Sequence, residues 1–156
     1  MPDGFAIHQL PAGGGWLGIC PLPRAGDLPV LLDWAPDLVL SMTEIEEMAQ
    51  LGAGGLGEAL KGAGIHWRHL PIRDFGVPPT EIQTVWPMVS ARAHEILADG
   101  GKVLAHCRGG CGRSGMVLLR LMVELGEAPD AALTRLRAVR SCAVETEAQR
   151  LWAERV

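Results

Sequence analysis

Tyrosine is missing from this 156-residue chain, phenylalanine occurs only as Phe5 and Phe75, and lysine only as Lys61 and Lys102. No sign of charge dominates either: 14 basic against 18 acidic residues leave a formal net charge of -4. Such a chain has no general basic field, so neither nucleic acid nor an anionic membrane is expected as a partner, and any anion site must be a local arrangement. Long apolar runs are also lacking. The stretch Met116 to Leu125 is interrupted by Arg120 and Glu124, too short and too charged to span a bilayer. The start, Met1-Pro2-Asp3-Gly4-Phe5, has no basic segment leading into an apolar one, so no signal peptide is read there and a cytoplasmic location is expected. Cys20, Cys107, Cys111 and Cys142 suffice in number for two disulfides, but without an export signal reduced thiols are expected. Cys107-x3-Cys111 has no second pair of close ligands, so neither a metal nor another cofactor is expected.

What is present is an ordinary globular mix, 48% hydrophobic and 21% charged, at a length that fits one domain over 1–156 and requires no more than a monomer. Arginine in place of lysine, with abundant alanine and glycine, suits a GC-rich bacterial genome. Phe5 to Leu10 and Trp16 to Cys20 read as strands about a Gly13-Gly14-Gly15 turn, and Leu38 to Ser41 as a buried strand. Thr43 with Glu46 reads as a capping box opening a helix to Leu51. Gly52 to Gly64 reads as loop with a short helical piece, and Ile65 to Ile72 as a strand. Thr80 is expected to cap a long helix to Ala98, which Pro87 can bend. Lys102 to His106 reads as a strand, Ser114 to Leu125 as a buried helix, and Pro129 to Arg140 and Glu145 to Arg155 as helical. Alternating strands and helices imply an α/β domain with a central, mostly parallel twisted sheet flanked by helices.

The stretch that carries chemistry is His106-Cys107-Arg108-Gly109-Gly110-Cys111-Gly112-Arg113-Ser114, between a buried strand and a buried helix. Glycines at 109, 110 and 112 permit positive φ, so backbone N–H groups can turn inward around one point. The helix start adds its dipole there. A ring of donors of this size binds phosphate without a metal, with Arg108, Gly109, Gly110, Cys111, Gly112 and Arg113 as the phosphate-binding set. Arg113 can add a planar fork to two phosphate oxygens, which lysine cannot. A thiol at the base of such a cradle is driven toward thiolate, from a free value of about 8.5 into a range of ~3.5–7.5. Cys107 is therefore the expected nucleophile, passing through a phosphocysteine, and Ser114 can donate to its sulfur as it leaves.

On these residues the chain resembles the protein tyrosine phosphatase superfamily, whose signature is His-Cys-x5-Arg-Ser/Thr. The dual-specificity phosphatases of kinase-associated and cell-division-cycle type commonly carry His-Cys-x-Gly-Gly-x-Gly-Arg-Ser, which this chain matches residue for residue. The likeness runs from about Val39 to Gln149, by pattern more than identity outside the loop. It implies a phosphate-binding loop between strand and helix, a phosphorylated protein or peptide as substrate, and a general acid on a separate loop. In His69-Leu70-Pro71-Ile72-Arg73-Asp74-Phe75-Gly76-Val77-Pro78 the family's acid loop is matched by Asp74, at a family-like spacing before Cys107; a solvated loop aspartate is the alternative. His106 is expected to orient the loop or simply to be a satisfied core histidine. Gln149 resembles a C-terminal glutamine that positions the hydrolytic water, with plain helix packing as the alternative, and Arg108 faces either substrate or solvent. The loop cysteine Cys111 departs from the family; it either traps an oxidised Cys107 as a disulfide or merely fills space. With so few aromatics, a deep tyrosine-only pocket is not expected, and phosphotyrosine and phosphoserine or phosphothreonine are both read as substrates. Phosphoinositide hydrolysis and non-catalytic phosphate binding are the rival readings.

Overall fold

The structure, a computed structural model, describes residues 4–156; Met1 to Asp3, part of the segment read for a signal peptide, lie outside the described residues. Five strands form one sheet in the order β1-β2-β5-β3-β4. They are β1 (His8–Ala12), β2 (Gly15–Cys20), β3 (Leu38–Ser41), β4 (His66–His69) and β5 (Lys102–His106). Only β1 is antiparallel, paired to β2 with His8 opposite Ile19; β2–β5, β5–β3 and β3–β4 are parallel. The helices are α1 (Leu28–Trp34), α2 (Ile45–Gln50), α3 (Leu56–Gly62), α4 (Thr80–Ala98), α5 (Gly112–Glu124), α6 (Pro129–Val139) and α7 (Glu147–Glu154). Among the described residues no helix is long and apolar enough to cross a membrane.

Both faces of the sheet are covered, which explains why Leu38-Val39-Leu40 of β3 and Val103-Leu104-Ala105 of β5 are continuous apolar runs rather than alternating. Val103 and Ala105 of β5 join the larger core with Leu17, Ile19, Leu40 and the inner faces of α4, α5 and α6. Leu104 points the other way, into a smaller cluster with Val39, Leu31, Met48 and Leu60 from β3, α1, α2 and α3. Strand β5 is thereby fixed in the middle of the sheet, and Cys107 follows its last residue. In open α/β sheets the crevice beyond the carboxyl ends of the strands is where ligands bind.

Several boundaries differ from expectation. The first strand is His8–Ala12 rather than 5–10, and it tolerates Pro11 because it is an edge. The fourth is His66–His69 rather than 65–72, since Leu70 and Ile72 continue inward as extended chain bonding to Ser41 and Met42 carbonyls. Helix α2 begins one residue later than read: Glu44 is its N-cap, its N–H donating to Glu47 Oε1 at 2.9 Å, while Thr43 Oγ1 is buried without a partner among the described residues. Pro79, not Thr80, is the N-cap of α4, which runs on through Pro87. Thr146 caps α7, so that helix starts at Glu147, and α5 starts at Gly112, two residues before Ser114.

Candidate active site

The loop from Cys107 to Cys111 joins β5 to α5 and forms the floor of a cavity of about 240 Å³, walled by Asp74, Phe75, Arg108, Gly109, Gly112 and Glu145. Four consecutive loop carbonyls are bound from outside. Arg108 O accepts from Leu22 N–H at 3.1 Å, Gly109 O from Arg140 Nη2 at 2.8 Å and Gly110 O from Arg140 Nε at 3.0 Å. Cys111 O accepts from the N–H groups of Gly115 at 2.9 Å and Val144 at 3.2 Å. Because each peptide is planar and trans, carbonyls turned outward leave the N–H groups of residues 109–112 turned the opposite way. This differs from three glycines at positive φ: only Gly110 adopts it, at 73°. Gly110 is also pressed against the backbone of Cys20 and Pro21, where any side chain would collide. At Gly112 a Cβ would meet the Glu145 carboxylate.

Cys107 is 3% exposed, and its Sγ lies 3.1 Å from Ser114 Oγ on the first turn of α5. His106 is wholly buried behind it. Burial above all pushes the imidazole down to about 4, so it is neutral. Trp67 Nε1 donates to Ser41 Oγ at 2.7 Å, and Ser41 Oγ lies 2.5 Å from His106 Nε2. Nε2 accepting from Ser41 leaves Nδ1–H to donate to Cys107 O at 3.3 Å. The two readings of His106 thus coincide: it is a satisfied core residue that also bonds the loop backbone.

Arg113 is almost fully buried at 1% exposure, its guanidinium within reach of Asp74 on the cavity wall. Glu47 grips one edge of it, Oε1 to Nη1 at 2.6 Å and Oε2 to Nη2 at 2.9 Å, and Ile72 O accepts from Nη1 at 2.8 Å. Asp74 Oδ1 lies 3.3 Å from Nη2. Among the described residues the buried Nε has no partner. The Nε/Nη2 edge is therefore the one left for a phosphate. Burial opposes ionisation of Glu47, but hydrogen bonds from Arg113 and Glu44 N–H outweigh it and hold the carboxyl below its ordinary value. Burial likewise opposes the charge on Arg113, and Glu47, Cys107 and Asp74 together hold it above its ordinary value.

The structure brings Asp74 to the cavity on the loop after β4, 44% exposed at its side chain. Phe75 beside it is 60% exposed and in left-handed backbone at φ 62°. Arg108 sits on the exposed rim. Gln149 does not face the cavity: it is fully buried, its Oε1 accepting from Glu145 and Thr146 N–H and its Nε2 donating to Gly76 O at 3.1 Å. The cysteine readings need correction. Cys111 is bonded to Cys142, and the free thiols among the described residues are Cys20 and Cys107. Cys111 is thus occupied by Cys142 rather than poised to trap Cys107, because the α6–α7 connection lies directly against the loop. Sequence reasoning missed Glu47, Arg140 and the wall position of Phe75. A buried arginine demands a carboxylate, which was a signal for Glu47; nothing marked Arg140.

Residues 35–127 match the family described as Tc-R-P, the DSP-PTPase phosphatase of polymorphic toxin systems. The chain belongs to this dual-specificity protein tyrosine phosphatase family. Cyclin-dependent kinase inhibitor 3 of Rattus norvegicus is 34% identical over 103 residues, 64% of this chain and 47% of the relative. The chain therefore spans about half the length of that curated relative. Among solved structures, a kinase-associated phosphatase with its catalytic cysteine replaced by serine superposes with a TM-score of 0.84 at 24% identity, over 98% of this chain and 94% of that one. Tk-PTP in its active form gives 0.72 at 29% identity over 100% of both chains. PTPMT1 in complex with PI(5)P gives 0.74 at 20% identity over 88% and 87%, a likeness of fold.

Proposed function

We propose that this chain is a single-domain, monomeric dual-specificity phosphatase of the bacterial cytoplasm that hydrolyses phosphotyrosine and phosphoserine or phosphothreonine on proteins, without a metal. The observation that carries the reading is one cavity holding a buried Cys107 sulfur 3.1 Å from Ser114 Oγ, with the Arg113–Asp74 pair at 3.3 Å beside it. The phosphate oxygens take the inward N–H groups of the loop and the Nε/Nη2 edge of Arg113, and Arg108 meets the substrate at the rim. A phosphate oxygen on Nη2 displaces Asp74, whose protonated carboxyl turns to the leaving oxygen. The Cys107 thiolate attacks phosphorus, the P–O bond to the side chain breaks, and Asp74 gives its proton to the departing oxygen. Water then attacks the phosphocysteine, Asp74 takes the water's proton, and the P–S bond breaks toward a thiolate stabilised by Ser114 O–H. Inorganic phosphate leaves.

Phe75 offers one apolar wall suited to a tyrosine ring, and the remaining open sides admit shorter side chains. Cys111, neutral and tied to Cys142, adds no cation for a polyphosphorylated inositol ring, and no group required for catalysis is missing, as it would be from a mere binding module. The test is release of inorganic phosphate from phosphopeptides and from phosphoinositides, with para-nitrophenyl phosphate between pH 5 and 7 as reference. Cys107→Ser is expected to abolish turnover while still binding vanadate. Asp74→Asn is expected to slow phosphoserine hydrolysis by about 10²–10⁴ and nitrophenyl phosphate far less, since nitrophenolate leaves without a proton. Equal losses on both substrates would remove Asp74 from that role; no turnover of any monoester would remove the function.

A further inference from the structure

Binding by this loop depends on its amides facing inward, and the question is what holds them so. Gly109 and Gly110 have no side chains to anchor them. Their carbonyls are held by one residue, Arg140, at 2.8 and 3.0 Å. Its remaining terminal nitrogen, Nη1, lies 3.2 Å from His8 Nε2 on β1. Burial first, and Arg140 second, depress the His8 imidazole, so it stays neutral and accepts from the guanidinium. Two residues beyond Arg140, Cys142 is bonded to Cys111, and Val144 N–H reaches Cys111 O at 3.2 Å. Three successive loop residues, 109, 110 and 111, are thus fastened to the short connection between α6 and α7, outside the cavity.

From this placement we infer that Arg140 and the Cys111–Cys142 disulfide form an external brace that keeps the phosphate loop in its binding conformation, with Arg140 a positioning residue and the disulfide a redox-sensitive part of the same brace. The inference rests on the phosphate-binding reading above. Each carbonyl held outward fixes the opposite direction of the next N–H. Without the guanidinium, two carbonyls lose their partners, and the peptides at 109–111 gain freedom to rotate, Gly110 most of all. A dithiol reductant acts on the second fastening. It delivers two electrons and two protons, the S–S bond breaks, Cys111 and Cys142 become thiols, and the reductant closes to its own disulfide. In a reducing cytoplasm such a bond is of the transient, sensing kind. The consequence is unusual for an enzyme with a cysteine nucleophile. Reductants ordinarily preserve such enzymes by reversing oxidation of the nucleophile; here they also loosen the substrate's binding loop.

The experiment measures the affinity of inorganic phosphate for the purified chain by calorimetry, together with its Ki and the kcat and KM for para-nitrophenyl phosphate. Arg140→Ala is expected to weaken phosphate about tenfold and raise KM in parallel, as loss of partners for two carbonyls implies, with kcat changed less. Arg140→Lys, a cation without the fork, is expected to fall between the two, and added guanidinium to restore part of the loss in Arg140→Ala. Dithiothreitol on the wild type and the Cys142→Ser substitution are expected to produce the same smaller loss, about threefold, and dithiothreitol to add nothing to Cys142→Ser. Phosphate affinity of folded Arg140→Ala within about twofold of wild type would overturn the role of Arg140. Identical affinity of oxidised and fully reduced wild type would overturn the redox part. If Arg140→Ala does not fold, Arg140→Lys with and without guanidinium gives the same reading. Calorimetric phosphate binding without turnover in every form would sink the phosphatase reading and leave the brace to be judged on affinity alone.

Discussion

A guanidinium has two usable edges, and in Arg113 they are divided. Glu47 holds Nη1 and Nη2, Ile72 O adds a third bond, and among the described residues the buried Nε has no partner. The division explains how a side chain 1% exposed can be charged and rigid and, on the proposed function, still have donors left for a phosphate. Removing one partner of a buried pair leaves the other charge uncompensated, which typically costs about 3–5 kcal/mol. Because Glu47 keeps 15% of its side chain exposed, Glu47→Ala is expected at the lower end, about 3 kcal/mol, read by urea denaturation. Glu47→Gln keeps one acceptor but no charge; it is expected to reduce kcat/KM by about tenfold, one charge-assisted bond's worth. Denaturation midpoints and kinetics of both variants equal to wild type would show that Arg113 is held by its carbonyl contacts instead.

At the scale of elements, three segments distant in sequence meet at the cavity: the loop after β4, the β5–α5 loop and the segment leading into α7. Gln149 couples the first and last. As the third residue of the Thr146 capping box it accepts two backbone N–H groups, and through Nε2 it donates to Gly76 O two residues beyond Asp74. Gln149→Glu separates the two jobs, since a glutamate at this position caps a helix equally well but cannot donate to Gly76. It is expected to melt within a few degrees of wild type, yet to lose kcat on phosphoserine peptides severalfold more than on nitrophenyl phosphate. A uniform loss on both, or none, would deny the latch.

Among these elements, legibility followed periodicity and proximity. The β5–loop–α5 unit was plain because an apolar run, a glycine-rich turn and an apolar helix are contiguous. The edge strand is read three residues early at its start and two at its end, because an edge needs little burial and Pro11 is tolerated there. Glu47 is hidden because Thr43-x-x-Glu46 fits the capping pattern, whereas the N-cap of α2 is Glu44, a residue type that pattern does not favour. The Cys111–Cys142 bond and the contacts of Arg140 with Gly109 and Gly110 join residues 31, 31 and 30 apart. They follow from how α6 returns beneath the loop, which no local pattern states.

For the whole molecule, acid stability follows from which titrating groups the fold buries. His106 is held at about 4 against an ordinary 6.5, chiefly by burial, so the unfolded chain binds a proton between those values that the native chain refuses. Where the unfolded state binds more protons, stability rises with pH. The contribution is therefore complete above pH 6.5 and declines as pH falls toward 4. Glu47 and Glu124 are also depressed, by hydrogen bonds that outweigh their burial. Glu124 accepts from Ser90, Trp86, His94 and Arg120 and so ties α4 to α5. These carboxylates act lower, keeping their contribution above the ordinary carboxylate value of 4.5 and losing it only as pH falls below. The urea midpoint is thus expected to be flat above pH 7, to fall by an amount equivalent to a few kcal/mol between 6.5 and 4, and to fall further below that. His106→Gln removes most of the upper stage, leaving the part that the depressed His8 imidazole supplies, and leaves the lower stage in place. A wild-type midpoint that stays level down to pH 4.5 would mean that His106 is protonated in the native state, and the Ser41–His106 bond would then run in the opposite sense, Nε2–H donating to Ser41 Oγ.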